Sequence, residues 1–181
     1  MPFVEGDIVV KQVGDKDFEL VEPIVYQGRT QQFTVPVGFR TDLASVPRAL
    51  VWLLPRYGRY TRAAILHDFL WQKGADVGVS RPDADGIFRR AMRELGVPFL
   101  RRWMMWAAVR WVSGPGRQLA LVLLVSVPAL VFVAIPSVMI TLWLVLFWLF
   151  ELPVFLVLKL HQRVRHTDKQ VNPPELTMTM S

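Results

Sequence analysis

The chain has 181 residues, three histidines and no cysteine. Without cysteine there is no disulfide framework, no thiolate nucleophile and no zinc–cysteine centre. His161 and His166 lie among Lys159, Arg163, Arg165 and Lys169, so both read as solvated or facing lipid headgroups. His67 differs: it follows the apolar run Ala63-Ala64-Ile65-Leu66 and is followed directly by Asp68. On a helix, adjacent positions point about 100° apart, so His67 and Asp68 serve different tasks. Asp85, expected on a second helix, would accept a hydrogen bond from one imidazole nitrogen. That bond sets the tautomer and leaves the other nitrogen as a base. Asp68 would then turn toward the loop around Thr41-Asp42-Leu43. A hard cation could be held there by Asp68, Asp42 and backbone carbonyls. It would polarise a carbonyl and stabilise the oxyanion formed when water, activated by His67, attacks. This is hydrolysis without a serine or cysteine nucleophile. The bland alternative makes His67 a satisfied core histidine, Asp85 a helix cap, and Thr41, Asp42 and Ser45 turn caps. A metal phosphohydrolase would need more histidines than this part of the chain holds. Gly-x-Ser-x-Gly, dinucleotide and phosphate-loop patterns are all missing.

The elements that must place these residues read as an α+β domain. Residues 3–37 suggest a small antiparallel meander: Ile8 to Val10, a turn at Gly14-Asp15, a return strand Phe18 to Glu22, then a hairpin of Ile24-Val25-Tyr26 and Gln32 to Val35. Phe39 to Pro47 reads as a loop between Gly38 and the prolines. Tyr60 to Lys73 is a helix by its apolar spacing, with Gly74 as its stop. A second helix begins near Pro82 and Asp83, buries Ile87, Phe88, Ala91, Met92 and Leu95, and ends at Gly96 and Pro98. The short connection predicts that the two helices are antiparallel neighbours carrying the site. Residues 99–113 form a third helix, rich in Trp and Arg, that is either a core helix or one lying at a lipid interface.

Composition separates the rest of the chain from this domain. The whole is 52% hydrophobic and 20% charged, with mean hydropathy +0.32. Leu119 to Leu158 contains a single charge, Glu151. As one helix that run would extend roughly 60 Å, about twice a bilayer's hydrocarbon core. Pro136-Ser137 therefore predicts a turn, with spans Leu119 to Ile135 and Val138 to Leu158, or else a wedge within one leaflet. Arg110 and Arg117 before the run, and Lys159, Arg163 and Arg165 after it, place both ends on the cytoplasmic side. Glu151 fits best at headgroup level. The net charge of +6 is then explained by anionic lipid rather than by nucleic acid. No signal peptide is evident at Met1-Pro2-Phe3. The expected organisation is a globular domain over 1–113, a hinge at 114–118, a transmembrane hairpin over 119–160 and a disordered basic tail over 161–181. Self-association through the membrane helices is open.

Two resemblances follow from these residues. Gly38-Phe39-Arg40-Thr41-Asp42-Leu43-Ala44-Ser45-Val46-Pro47, then His67-Asp68, then Ala84-Asp85 to Met92 resemble an uncharacterised domain family found largely in bacteriophages and prophages. Leu66-His67-Asp68-Phe69 with Asp85 and Phe88 is also similar to phospholipase A2 enzymes of the bacterial and parvoviral type. That second resemblance implies His67 as base, Asp85 as its orienting partner, and calcium bound by Asp68, with Asp42 and Leu43 completing the site. The expectation is a membrane-anchored, phage-type ester hydrolase of the host inner membrane. Its rival is a non-catalytic membrane adaptor or lysis-accessory protein whose His and Asp residues are structural.

Overall fold

The computed structural model describes residues 3–4, 7–44, 46, 51–55, 57–165 and 173–174. The fold is α+β, with antiparallel strands first and then four helices. Strands β1 (Val10–Gln12) and β2 (Phe18–Leu20) form a hairpin around the Gly14 turn, in the register Val10 to Leu20. Strands β3 (Ile24–Gln27) and β4 (Gln32–Val35) form a second hairpin. The expected single meander is therefore two small sheets, because Pro23 cannot donate to a continuing ladder. A fifth strand, β5 (Arg40–Thr41), adds to β2 with Phe18 opposite Thr41. It falls where the sequence predicts only loop. Two residues bounded by Gly38 and Leu43 at positive φ are too short for alternation to register.

Helix α1 (Thr61–Lys73) matches its expected span. The chain does not stop at Gly74 but tightens into a 3-10 turn, Gly74–Val77, and turns at Gly78, whose φ is +70°. Gly74 is required by a close approach instead: a Cβ there would lie 2.7 Å from the Val79 carbonyl oxygen. Helix α2 (Arg81–Glu94) is capped by Ser80, whose hydroxyl accepts from the Asp83 amide. Helix α3 (Phe99–Ser113) packs on α2 and buries Met105, Trp106, Ala107 and Arg110. The core gathers Leu20, Tyr26 and Val35 from the strands, Ile65, Leu66 and Leu70 from α1, and Ala84, Phe88 and Met92 from α2. Tyr26 ties sheet to helix by donating its hydroxyl to Glu94 at 2.8 Å.

Helix α4 runs unbroken from Leu119 to Arg165, so the expected hairpin is corrected to one long apolar helix. Pro128, Pro136 and Pro153 each remove one backbone hydrogen bond, and isolated prolines inside a strongly apolar segment do not reverse the chain. Helix α4 also takes in residues 161–165. Of the expected tail beyond them, residues 166–172 and 175–181, including His166, lie outside the described residues. So do Ser45 and Pro47 of the predicted loop.

The chain divides into two compact units, Met1–Phe132 and Val133–Ser181. In the first, Trp106 and Ala107 of α3 pack with Val122, and the Trp111 indole donates to the Ser126 hydroxyl at 2.9 Å. In the second, the Trp148 indole donates to the Pro174 carbonyl at 2.9 Å. Glu151 lines a hollow there with Phe147, Val154 and Phe155.

Candidate active site

Consecutive positions on α1 give His67 and Asp68 to different surroundings, as the 100° step requires. The imidazole turns toward α2, where His67 Nε2 lies 3.0 Å from Asp85 Oδ1. Asp85 is fully buried, and His67 is 9% exposed. Phe88, one turn beyond Asp85, packs its ring on the imidazole with centroids 4.9 Å apart. Asp85 does not cap α2, since Ser80 does that; its carboxylate is spent on His67 and on a third partner.

That partner is Arg110 of α3, whose Nη1 donates to Asp85 Oδ2 at 3.3 Å. Arg110 is 6% exposed, so of the two readings left open for the third helix, core or lipid interface, Arg110 takes the core one: it is a buried counter-ion. The spacing carried a signal for this. Arg110 stands three and four positions after Ala107 and Trp106, on the face that α3 buries. An uncompensated buried carboxylate costs several kcal/mol, and Arg110 neutralises it from the side away from the imidazole. Among the described residues Arg110 Nε and Ser113 Oγ are buried without a hydrogen-bond partner.

Asp68 turns toward β5. Thr41 Oγ1 donates to Asp68 Oδ2 at 2.7 Å and accepts from the Leu43 amide at 3.0 Å. Leu43 holds φ +66°, so the loop is bent into place around the Thr41 hydroxyl. Burial pushes the Asp68 carboxyl up to about 6. The Thr41 hydrogen bond opposes that rise, Asp42 adds to it, and His67 opposes it.

Two hollows meet at Asp68. One, of about 240 Å³, is lined by His67, Asp68, Trp71, Phe88, Val109 and Val112, with Ala44, Ala64 and Gln72. It is open to solvent along one side, mostly apolar, and has an imidazole in its wall. The other, of about 410 Å³, is lined by Asp17, Arg40, Thr41, Asp42, Asp68 and Gln72. The structure thus brings His67 to Asp85 and sets Asp68 and Asp42 around a shared polar hollow. Leu43 enters through its amide, which is given to Thr41. Arg110, and Thr41 as a donor to Asp68, are the parts of the cluster that sequence reasoning did not assign; the Leu43 amide bond to Thr41 is the turn cap that the bland alternative expected.

Among the described residues, no group of three His, Asp or Glu side chains is placed to hold a metal ion. Asp68 Oδ2 is already engaged by Thr41, and Arg40 brings a positive charge to the same hollow. Calcium takes six to eight oxygens. Asp68 and Asp42 supply part of such a shell, and backbone and water would have to supply most of it.

The fold and cluster define an α+β domain built around a buried imidazole–carboxylate–guanidinium relay, followed by a long apolar helix. Residues 18–109 match the family model DUF1353, described as a protein of unknown function, and the chain belongs to that family. The comparison with curated proteins returned no significant match, and neither did the comparison with solved structures.

Proposed function

We propose that the chain is a membrane-anchored ester hydrolase of phospholipase A2-like type, with His67 as its general base. The observation that supports this best is the 3.0 Å contact of His67 Nε2 with Asp85, in an imidazole that also lines an open, largely apolar hollow. With Nε2–H donated to Asp85, Nδ1 carries the free lone pair. Water in the hollow gives a proton to Nδ1 while its oxygen attacks the ester carbonyl. The tetrahedral intermediate then expels the alkoxide, which takes that proton back from His67. The products are a fatty acid and an alcohol. Asp85 offsets the transient imidazolium, and Arg110 holds Asp85 in place through its other oxygen. Val109, Val112 and Trp71 would accept the acyl chain. A divalent cation such as calcium, held by Asp68 and Asp42, would supply electrophilic help at the carbonyl. No step above depends on it.

The anchor is α4, whose most apolar 18-residue window has mean hydropathy 2.7 and is only 11% buried. A core helix of a soluble protein would be mostly buried. A single helix does not return the chain, so the cytoplasmic placement of both ends loses its basis. A phage or prophage setting in a host inner membrane rests on the motif resemblance alone.

One observation favours the adaptor reading: Asp85 is satisfied on both oxygens, as in a structural network. Release of fatty acid from anionic vesicles, with calcium or with a chelator, separates the two. The hydrolase reading expects turnover by the full chain and its loss in His67→Ala and Asp85→Asn, with membrane association kept. No release by the folded wild-type chain under either condition would leave the adaptor.

A further inference from the structure

The surface of α2 and α3 away from His67 carries a second cavity. Gly86, Arg89, Arg90 and Arg93 follow one face of α2 at helical spacing, and Phe99, Arg102 and Trp103 come from the first turns of α3. With Arg29 from the β3–β4 turn they line a hollow of about 440 Å³. Among the described residues no carboxylate lines it, and none of these arginines has one within 4 Å. Aromatic rings hold two of the guanidinium groups instead. Arg89 Cζ lies 4.3 Å from the Trp103 ring centroid and 5.1 Å from that of Trp106, and Arg102 Cζ lies 5.5 Å from that of Phe99. Burial and the neighbouring Arg102 and Arg93 all act against the charge on Arg89. Among the described residues the Trp103 indole N–H is buried without an acceptor. Like charges gathered without acids, two of them held against rings, fit an incoming multivalent oxyanion.

Phe99 and Trp103 also form one end of an apolar groove between α3 and the start of α4. That groove measures about 470 Å³ and is lined further by Leu100, Leu121, Leu124 and Phe132. A cationic hollow and an apolar groove thus share a wall of two aromatic residues. We propose that this pair of cavities binds an anionic phospholipid, its phosphate among Arg89, Arg93 and Arg102 and an acyl chain along the groove. The proposal rests on the reading of α4 as lipid-associated, and it is independent of hydrolysis at His67. A nucleic acid phosphate would use the arginines but leave the groove empty.

The test uses the full chain in neutral detergent, with binding of dioctanoyl phosphatidic acid followed by native mass spectrometry. We expect one saturable site, with dioctanoyl phosphatidylcholine at least about tenfold weaker because its choline meets the arginines. Arg93→Gln with Arg102→Gln should weaken binding at least about tenfold while leaving Arg89 stacked on its tryptophans. Leu124→Gln should weaken the lipid through the groove, and the remote Lys11→Gln should change nothing. Inorganic phosphate that competes on equal terms with the lipid would overturn the proposal, since the groove would then contribute nothing. A dodecathymidine that binds more tightly than the lipid would overturn it in favour of nucleic acid. No saturable lipid binding overturns it outright. Loss of the chain from membranes, with the lipid site intact, would overturn only the reading of α4.

Discussion

Asp85 is the residue on which the cluster turns. Its two oxygens serve an imidazole from α1 and a guanidinium from α3, and Asp85 itself keeps no water-exposed surface. Removing the guanidinium leaves a buried carboxylate without its cationic partner at Oδ2. Arg110→Met should therefore cost on the order of 3–5 kcal/mol, read as a lowered denaturant midpoint with unchanged slope. Asp68 obeys a different balance. Its folded pKa, about 6, is above the ordinary carboxylate range. The folded state thus holds the proton more tightly than the unfolded state does. The sign follows: this group favours folding most at low pH, and the benefit is lost as pH rises from about 4 to about 6. Compared with Asp68→Asn, the wild-type chain should lose stability across that window and run parallel above it, which melting temperatures at stepped pH would show. At this scale the sequence disclosed His67 and Asp85 because an imidazole in an apolar helix needs a partner. It concealed Arg110, since an arginine between tryptophans reads equally well as lipid-facing.

At the scale of elements, the connection between α1 and α2 decides whether His67 meets Asp85. The carbonyl of Val79 closes on Gly74 and accommodates no side chain there. Gly74→Ala should force the connection apart and cost about 1–3 kcal/mol, with a matching loss of whatever activity depends on the His67–Asp85 contact. Helix boundaries were legible to within a residue or two for α1 and α2, where apolar spacing and Pro82 agree. Strand β5 was not legible. It exists because β2 offers it an edge, and it matters because it carries Thr41 to Asp68. The course of α4 was misread for a physical reason: length argued for two spans, and a proline argued for the turn between them. Backbone hydrogen bonding outweighs isolated missing N–H groups, so the helix continues. Because the chain has no cysteine, Ser137→Cys gives a unique label. In a bilayer it should resist a membrane-impermeant maleimide from both sides, whereas a hairpin turn would be labelled from one.

For the whole molecule, the balance of exposed apolar surface decides where the chain resides. Trp143, Phe147 and Phe150 of α4 are all more than 60% exposed. An apolar helix left this bare in water would aggregate. The full chain should float with vesicles in a density gradient and stay with them through alkaline carbonate extraction. A chain washed off by carbonate would mean that α4 is covered by protein rather than by lipid.

The sequence by itself determined what composition and period can encode: an α+β domain, a helix pair bearing His67 and Asp85, and a long apolar segment after it. Each of these follows from side-chain chemistry repeated along a short window. Only the tertiary structure decided which buried charge answers which. Arg110 reaches Asp85 from a third helix, and Thr41 reaches Asp68 from an added strand. The cationic hollow also lies there, assembled from a turn and two helices. Such contacts join residues far apart in the chain, and no local pattern records them, because their energy comes from desolvation that exists only once the elements have packed.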